Sequence, residues 1–134
     1  RRSEELERRV LGYELERLRA EETSVGPWRV VRAVLDDADP AAMRYLAQHL
    51  SEGAGTVALL AVREPAQLCF ARAQDVDLDV ARLLRESAGA FGGRGGGQPH
   101  MAQGGGVDPA HVTDVLIRAE ERLRANVAGP TASS

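Results

Sequence analysis

The first 22 residues place apolar side chains at helical spacing among many charged ones. Leu11, Leu15 and Leu18 recur three or four positions apart between glutamates and arginines, which puts them on one face of a helix. We therefore predict an N-terminal helix over residues 1–22, within a helical segment that ends at residue 23. Its apolar stripe either mediates dimerisation or docking, or packs on its own domain. The side chains of this stripe are Leu6, Val10, Leu11, Leu15 and Leu18.

Strand and helix signals then alternate along the middle of the chain. Gly26 and Pro27 end the first helix, so residues 23–27 are predicted as a linker before a strand at residues 28–35. Asp39 and Pro40 match a helix N-cap followed by proline at the first helical position. The helix that they begin is predicted to end near Gly53.

Two further strands are predicted at residues 56–63 and 67–73, joined as a hairpin. Asp77 or Asp79 caps a third helix, and Asp108 precedes a last helix that should end at Gly129 and Pro130. Residues 24–130 are thus predicted as one globular domain, followed by a disordered tail at 131–134. The fold class is α/β, a mixed β-sheet flanked by helices and preceded by an N-terminal helical extension.

Nine of the 14 glycines lie in the run GAFGGRGGGQPHMAQGGG, from Gly89 to Gly106. Glycine lets backbone amides approach a bulky, electronegative ligand closely. Arg94, the only cation in this run, adds a planar fork suited to a phosphate or a guanine edge. His100 either meets the ligand or braces the loop. The alternative is a pair of tight turns in which glycine is needed only for steric reasons.

Known nucleotide loops and catalytic sites do not fit the chain. There is no lysine, which a nucleotide-triphosphatase P-loop requires. Pro99 and the second glycine triplet interrupt the helix that a dinucleotide fingerprint needs. The three histidines have no metal-ligand spacing with one another or with cysteine. We predict no catalytic residues, metal site or cofactor in this chain.

Residues 92–106 resemble the signature at the extreme C-terminus of alanyl-tRNA synthetases, the domain called C-Ala. It is part of a wider DHH-associated domain family that also contains phosphoesterases and exonucleases. The resemblance implies a noncatalytic module that grips the tRNA elbow and supports aminoacylation and editing. The implied RNA-binding residues are Gly92, Gly93, Arg94, Gly95, Gly96, Gly97, Gln98, His100, Gln103, Gly104 and Gly105.

The same resemblance implies partners outside this chain. These are tRNA and the upstream aminoacylation and editing domains of an alanine–tRNA ligase, which would use ATP, Mg and Zn. A homodimer through the N-terminal helix is a further expectation. The alternative function is the substrate-binding domain of a DHH-type phosphoesterase or exonuclease. Upstream sequence would separate the two.

Composition narrows the class of protein without deciding its function. The 17 cations, all arginine, and 20 acids give a net charge of −3, which argues against a strong general nucleic-acid binder. No apolar run reaches the length of a membrane span, and we expect a cytoplasmic location. The single cysteine, Cys69, lies in an alternating apolar run and is predicted to be buried.

Overall fold

The computed structural model describes residues 2–35 and 38–133, which form a six-stranded sheet with helices on both faces. The helices are α1 (Arg2–Ala20), α2 (Pro40–Leu50), α3 (Val80–Gly89) and α4 (Val112–Ser133), with a 3₁₀ turn at Pro109–His111 before α4. The strands are β1 (Thr23–Val25), β2 (Trp28–Leu35), β3 (Thr56–Val62), β4 (Gln67–Arg72), β5 (Arg94–Gln98) and β6 (Met101–Gly105).

The strand order across the sheet is β1-β2-β3-β4-β6-β5. β2 and β3 are parallel and are joined through α2, whereas the other neighbouring pairs are antiparallel. A parallel pair requires a crossover connection, and α2 provides it. The mixed α/β fold expected from the sequence is confirmed.

Helix caps hold the predicted elements at their N-termini. The Asp39 carboxylate accepts a hydrogen bond from the Ala42 N–H at 2.7 Å, and Asp79 accepts one from the Ala81 N–H at 3.0 Å. Each carboxylate satisfies an N–H group that has no partner within the helix. Asp79, rather than Asp77, is therefore the cap of α3.

Two hydrophobic clusters lie on opposite faces of the sheet. α3 and α4 cover one face, with Phe70 of β4 at its centre, and α1 and α2 cover the other. Because successive side chains of a strand point to opposite faces, the neighbouring Cys69 belongs to the second cluster. Cys69 is buried as predicted, and burial raises the pKa of its thiol to about 11.

Part of the predicted linker is a strand. Thr23–Val25 forms β1, which pairs antiparallel with the start of β2. Gly26 makes the turn between them with a φ of +59°, and Val25 is only 2% exposed. Burial of one valine across a tight hairpin thus adds a short strand where the sequence indicated only turn residues.

The C-terminal part of the apolar stripe of α1 packs on its own domain. Leu15 and Leu18 are 8% and 1% exposed and lie in the cluster under α2. They are therefore not available for dimerisation, and that part of the prediction is wrong. Val10 remains 64% exposed and Tyr13 is 73% exposed. The side chain of Leu6 lies outside the described residues, and a homodimer stays a prediction.

The last helix is longer than predicted. α4 runs to Ser133, through Gly129 and Pro130, where the sequence indicated a helix end. A proline loses its own N–H bond and crowds the Cβ of the preceding residue. Gly129 has no Cβ, so this crowding is reduced and the helix continues. The expected tail at 131–134 is thus helical as far as Ser133, and Ser134 lies outside the described residues.

Candidate nucleic-acid interface

The glycine run folds into a hairpin at one edge of the sheet. β5 and β6 pair antiparallel, with Arg94 opposite Gly105 and Gln98 opposite Met101. Pro99 and the residue after it form the two-residue turn. We call these two strands the glycine hairpin. The expectation that the run is partly strand is confirmed.

Several glycines of the hairpin are required by packing against α3. A Cβ on Gly95 would collide with the Cδ2 atom of Leu84, and a Cβ on Gly104 would lie 2.5 Å from the same atom. On Gly97, which has a φ of +149°, a Cβ would lie 2.8 Å from the Cα of Ala102. For these positions, the steric explanation of glycine is sufficient.

Gly96 is different, because a Cβ placed there would meet no atom within 4 Å. Arg94 and Gln98 lie on the same side of β5 as Gly96, since side chains alternate along a strand. Gln103 is directly opposite Gly96 on β6. From α2, the Arg44 guanidinium reaches over and donates a hydrogen bond to the Gln103 side-chain oxygen at 3.3 Å.

This side of the hairpin is a shallow polar surface beside α2. We call it the open face, and its residues are Arg44, Arg94, Gly96, Gln98 and Gln103. At Gly96 this surface consists of backbone without a side chain. Its two cations are Arg44 on α2 and Arg94 on β5. A planar group could therefore lie against the backbone between guanidinium groups.

The outer edge of β5 adds unpaired backbone groups. The Arg72 N–H donates to the His100 carbonyl at 3.0 Å, so His100 turns its backbone toward β4. Backbone direction alternates along antiparallel strands, and it follows that Gly96 turns toward β6 while Gly95 and Gly97 turn outward. Their N–H groups have no acceptor within the described part of the chain. Such an edge can bind an acceptor-rich ligand.

The cations of the open face have no carboxylate partner. Arg94 is exposed and makes no hydrogen bond or ion pair with any described residue, and Arg44 bonds only to Gln103. Two guanidinium groups without a carboxylate partner among the described residues therefore lie on this face, in a chain of net charge −3.

His100 lies at the other end of the hairpin from Arg94. Four residue steps of about 3.4 Å separate Arg94 from Gln98, or about 14 Å, and His100 lies beyond them in the turn. It lines a groove of about 840 Å³ together with Gln48, Glu52 and Asp75. The structure thus does not bring His100 and Arg94 together at one point.

The remaining predicted residues form the base of the hairpin. A Cβ on Gly93 would lie 2.5 Å from the Cγ1 atom of Val107, and one on Gly105 would lie 3.0 Å from the Ala66 carbonyl oxygen. Gly92 has a φ of +79°, which an L side chain rarely adopts. Gly92 and Gly93 shape the loop that leads from α3 into β5, and Gly105 ends β6.

Arg44 was missed by the sequence analysis. It precedes the glycine run by about 50 residues on a helix, and no local motif connects it to the run. Among the described residues, no three His, Cys, Asp or Glu side chains are grouped so as to hold a metal ion. In the same part of the chain, no helix is both long and apolar enough to cross a membrane.

The model of the DHHA1 domain family matches residues 29–125, which include both strands of the glycine hairpin and α2. The chain belongs to the DHHA1 domain family. The match begins in β2 and ends in α4, so α1 and β1 lie outside it. The resemblance to the C-Ala domain of alanyl-tRNA synthetases is confirmed by the relatives and structures that follow.

Similar proteins are alanine–tRNA ligases. The enzyme of Synechococcus sp. strain JA-3-3Ab is 32% identical over 131 residues, which are 92% of this chain and 15% of that protein. The enzyme of Roseiflexus castenholzii is 33% identical over 94% of this chain and 15% of its own length. The chain thus spans about one seventh of the relatives that it matches.

Two solved structures share the fold. The C-Ala domain of the Aquifex aeolicus alanyl-tRNA synthetase superposes with a TM-score of 0.71 at 23% identity, covering 78% of this chain and 98% of that one. A DHH domain protein described as a member of a family of ribosomal proteins superposes with a TM-score of 0.56 at 13% identity, covering 87% of this chain and 31% of that one.

Proposed function

We propose that this chain is the tRNA-binding module of an alanine–tRNA ligase and that it grips the outer corner, or elbow, of folded tRNA. The open face and the outer edge of β5 would make the contact. The observation that carries the proposal is the open space above Gly96, close to Arg94, which has no partner among the described residues. No contact with a described residue requires glycine at position 96, whereas a closely approaching ligand would.

The chemistry of this surface suits RNA shape more than RNA sequence. Amide N–H groups of Gly95 and Gly97 and the guanidinium groups of Arg44 and Arg94 bind phosphates or exposed base edges. Few phosphates are neutralised by two arginines, so binding of the isolated chain should be weak and should fall with added salt. Folded corners of RNA present bases and phosphates that regular A-form helices conceal.

Catalysis would take place in the rest of the parent protein. There, ATP, Mg and Zn would act in aminoacylation and editing, in the cytoplasm, while this module holds the tRNA for both. It contributes no catalytic residue of its own. Its role is to position the tRNA, and it does not carry out the chemical steps.

The test is an equilibrium titration with a tRNA transcript. Arg94→Ala should weaken binding without lowering the unfolding temperature, because Arg94 has no partner among the described residues. Arg85→Ala is the matched control, since Arg85 is also exposed and unpartnered among the described residues but lies on α3, on the other side of the hairpin. Equal affinity of the wild type for an unstructured RNA of the same length would refute recognition of shape.

Gly96→Val provides a second test that does not change charge. The added side chain projects into open space, so the fold should tolerate it while the ligand is kept from the backbone. Gly96→Val binding tRNA as tightly as the wild type would show that the open face is not the contact surface.

A second candidate function is the substrate-binding domain of a DHH-type phosphoesterase or exonuclease. The superposition on the DHH domain protein favours it, because the metal-binding aspartates of such an enzyme would lie in another domain. A DHH motif upstream of this chain in its gene would support this function. Aminoacylation and editing regions upstream would support the tRNA ligase.

A further inference from the structure

Two aromatic rings stack at the base of the glycine hairpin. Phe91 lies in the turn after α3, and His111 closes the 3₁₀ turn before α4. Their ring centroids are 5.4 Å apart with an interplanar angle of 26°. Neither ring is part of the open face or of the predicted site.

The two rings of this pair have different surroundings. Phe91 is half-buried and packs against the core cluster under α3 and α4. His111 lies outside it, and 51% of its side-chain surface is exposed. One face of the imidazole is therefore stacked on Phe91, while about half of the side-chain surface is open to solvent.

His111 is held in this orientation by a hydrogen bond. Its Nδ1 atom lies 3.1 Å from the Oδ2 atom of Asp114, one turn further along the chain. The backbone supports the same geometry, because the His111 N–H donates to the Asp108 carbonyl at 2.8 Å. A ring fixed by a neighbouring ring, a carboxylate and a backbone bond loses little freedom when another ring stacks on it.

The Arg94 guanidinium lies at the same end of the hairpin. Its Nε atom is 3.8 Å from the position that a Cβ of Gly106 would occupy. Gly106 begins the loop that His111 closes, so Arg94 and the His111 ring lie at the two ends of one short loop. A nucleotide presents a flat base and a phosphate, which these two groups match.

We propose that the outer face of His111 is a stacking platform for one unpaired nucleobase of RNA, whose phosphate is bound by Arg94. The proposal rests on the proposed RNA-binding function and adds a second contact to it, in which the His111 ring lies outside the open face and Arg94 belongs to it. Base stacking on aromatic rings tolerates any base, because every base has a π-face. Asp114 acts as a positioning residue that orients the ring.

The test compares ring variants of the full chain in titrations with a tRNA transcript. His111→Ala should raise Kd at least about fivefold, the lower end of what loss of one base–aromatic stack costs. His111→Phe keeps the flat ring and should restore Kd to within about twofold of wild type. Thermal unfolding of each variant shows whether the fold is retained, and His111→Phe keeps the test valid if His111→Ala is unstable.

His49→Ala is the matched control. Its ring lies 4.2 Å from that of Tyr45 and its Nδ1 atom is 3.3 Å from a Glu52 carboxylate oxygen, but it is on α2, near the turn end of the hairpin. Its Kd should stay at the wild-type value. In a separate measurement, the indole fluorescence of His111→Trp should be quenched by tRNA beyond the change seen in wild type, which contains only Trp28.

Each result decides the proposal. His111→Ala binding within about twofold of wild type, while Arg94→Ala binds weakly, would overturn the platform and leave the proposed function standing. Equal weakening by His111→Ala and His111→Phe would show that stacking is not the contact. Absence of tRNA binding by the wild type would remove the proposed function and this inference with it.

Discussion

Alanine substitutions at Gly95 and Gly96 should change stability in opposite directions, although the two residues are neighbours in β5. A Cβ on Gly95 would collide with Leu84 and lie 2.8 Å from the Gln103 carbonyl oxygen, whereas a Cβ on Gly96 would meet nothing within 4 Å. Neither residue has a positive φ. Neither position therefore requires a left-handed backbone, and the space for one methyl group distinguishes the two.

The magnitude follows from this difference in space. Forcing a methyl group into the contact between β5 and Leu84 should cost about 1–3 kcal/mol, as overpacking of a core does. Alanine at a position with an ordinary φ and free space stabilises by about 0.4–1 kcal/mol, because the unfolded chain loses conformational freedom. For a domain of this size, about 4 °C of melting temperature corresponds to 1 kcal/mol.

Thermal and urea unfolding, followed by circular dichroism, measure both variants against wild type. Gly95→Ala should melt at least about 4 °C lower and Gly96→Ala about 2–4 °C higher. Adding Leu84→Ala to Gly95→Ala should cost less than the two single changes together, since it removes one colliding atom. If Gly95→Ala is as stable as Gly96→Ala, the packing explanation of the hairpin glycines is wrong.

Further predictions concern the rest of the fold. Leu18→Ala should destabilise the chain by about 2–5 kcal/mol in urea unfolding, because Leu18 is 1% exposed and its loss leaves a cavity; a cost under about 1 kcal/mol would mean that α1 is not docked. Iodoacetamide should label native Cys69 far more slowly than unfolded protein at about pH 8, because burial raises the pKa of its thiol from 9.0 to about 11. Since the unfolded thiol ionises at lower pH than the folded one, the free energy of unfolding should fall as pH rises from about 9 towards 11. Rapid labelling of Cys69 in the native protein would contradict its burial. Wild type should sediment as a dimer through α1 and the double variant Val10→Asp, Tyr13→Asp as a monomer, since both side chains are exposed; a monomeric wild type would refute this.

Local sequence signals determined most of the elements. Asp39 and Pro40 predict the start of α2, because the hydrogen bond of an N-cap is made within one helical turn. β2 and the hairpin of β3 and β4 follow from short apolar runs between turn residues, which also act locally. The resemblance in residues 92–106 indicated the family, because a run of glycines around one arginine is rare at this density.

The tertiary structure alone decided which residues of that run meet each other. Gly95 and Gly96 cannot be distinguished in the sequence. Only the position of Leu84 shows that Gly95 is needed for packing, whereas Gly96 has open space around it. Arg44 joins the open face from a distant helix, and the turn takes His100 away from Arg94. These facts depend on contacts between residues far apart in the chain, which the pairing of strands and the packing of helices establish.

The same reason explains the two differences in α1 and β1. A stripe of leucines predicts that one helix face will be buried, but it does not indicate which surface covers that face. Burial of Leu15 and Leu18 under α2 and pairing of Val25 with the start of β2 became visible only with the partner surfaces in place. Sequence patterns specify which side chains leave water, and the assembled sheet specifies what covers them.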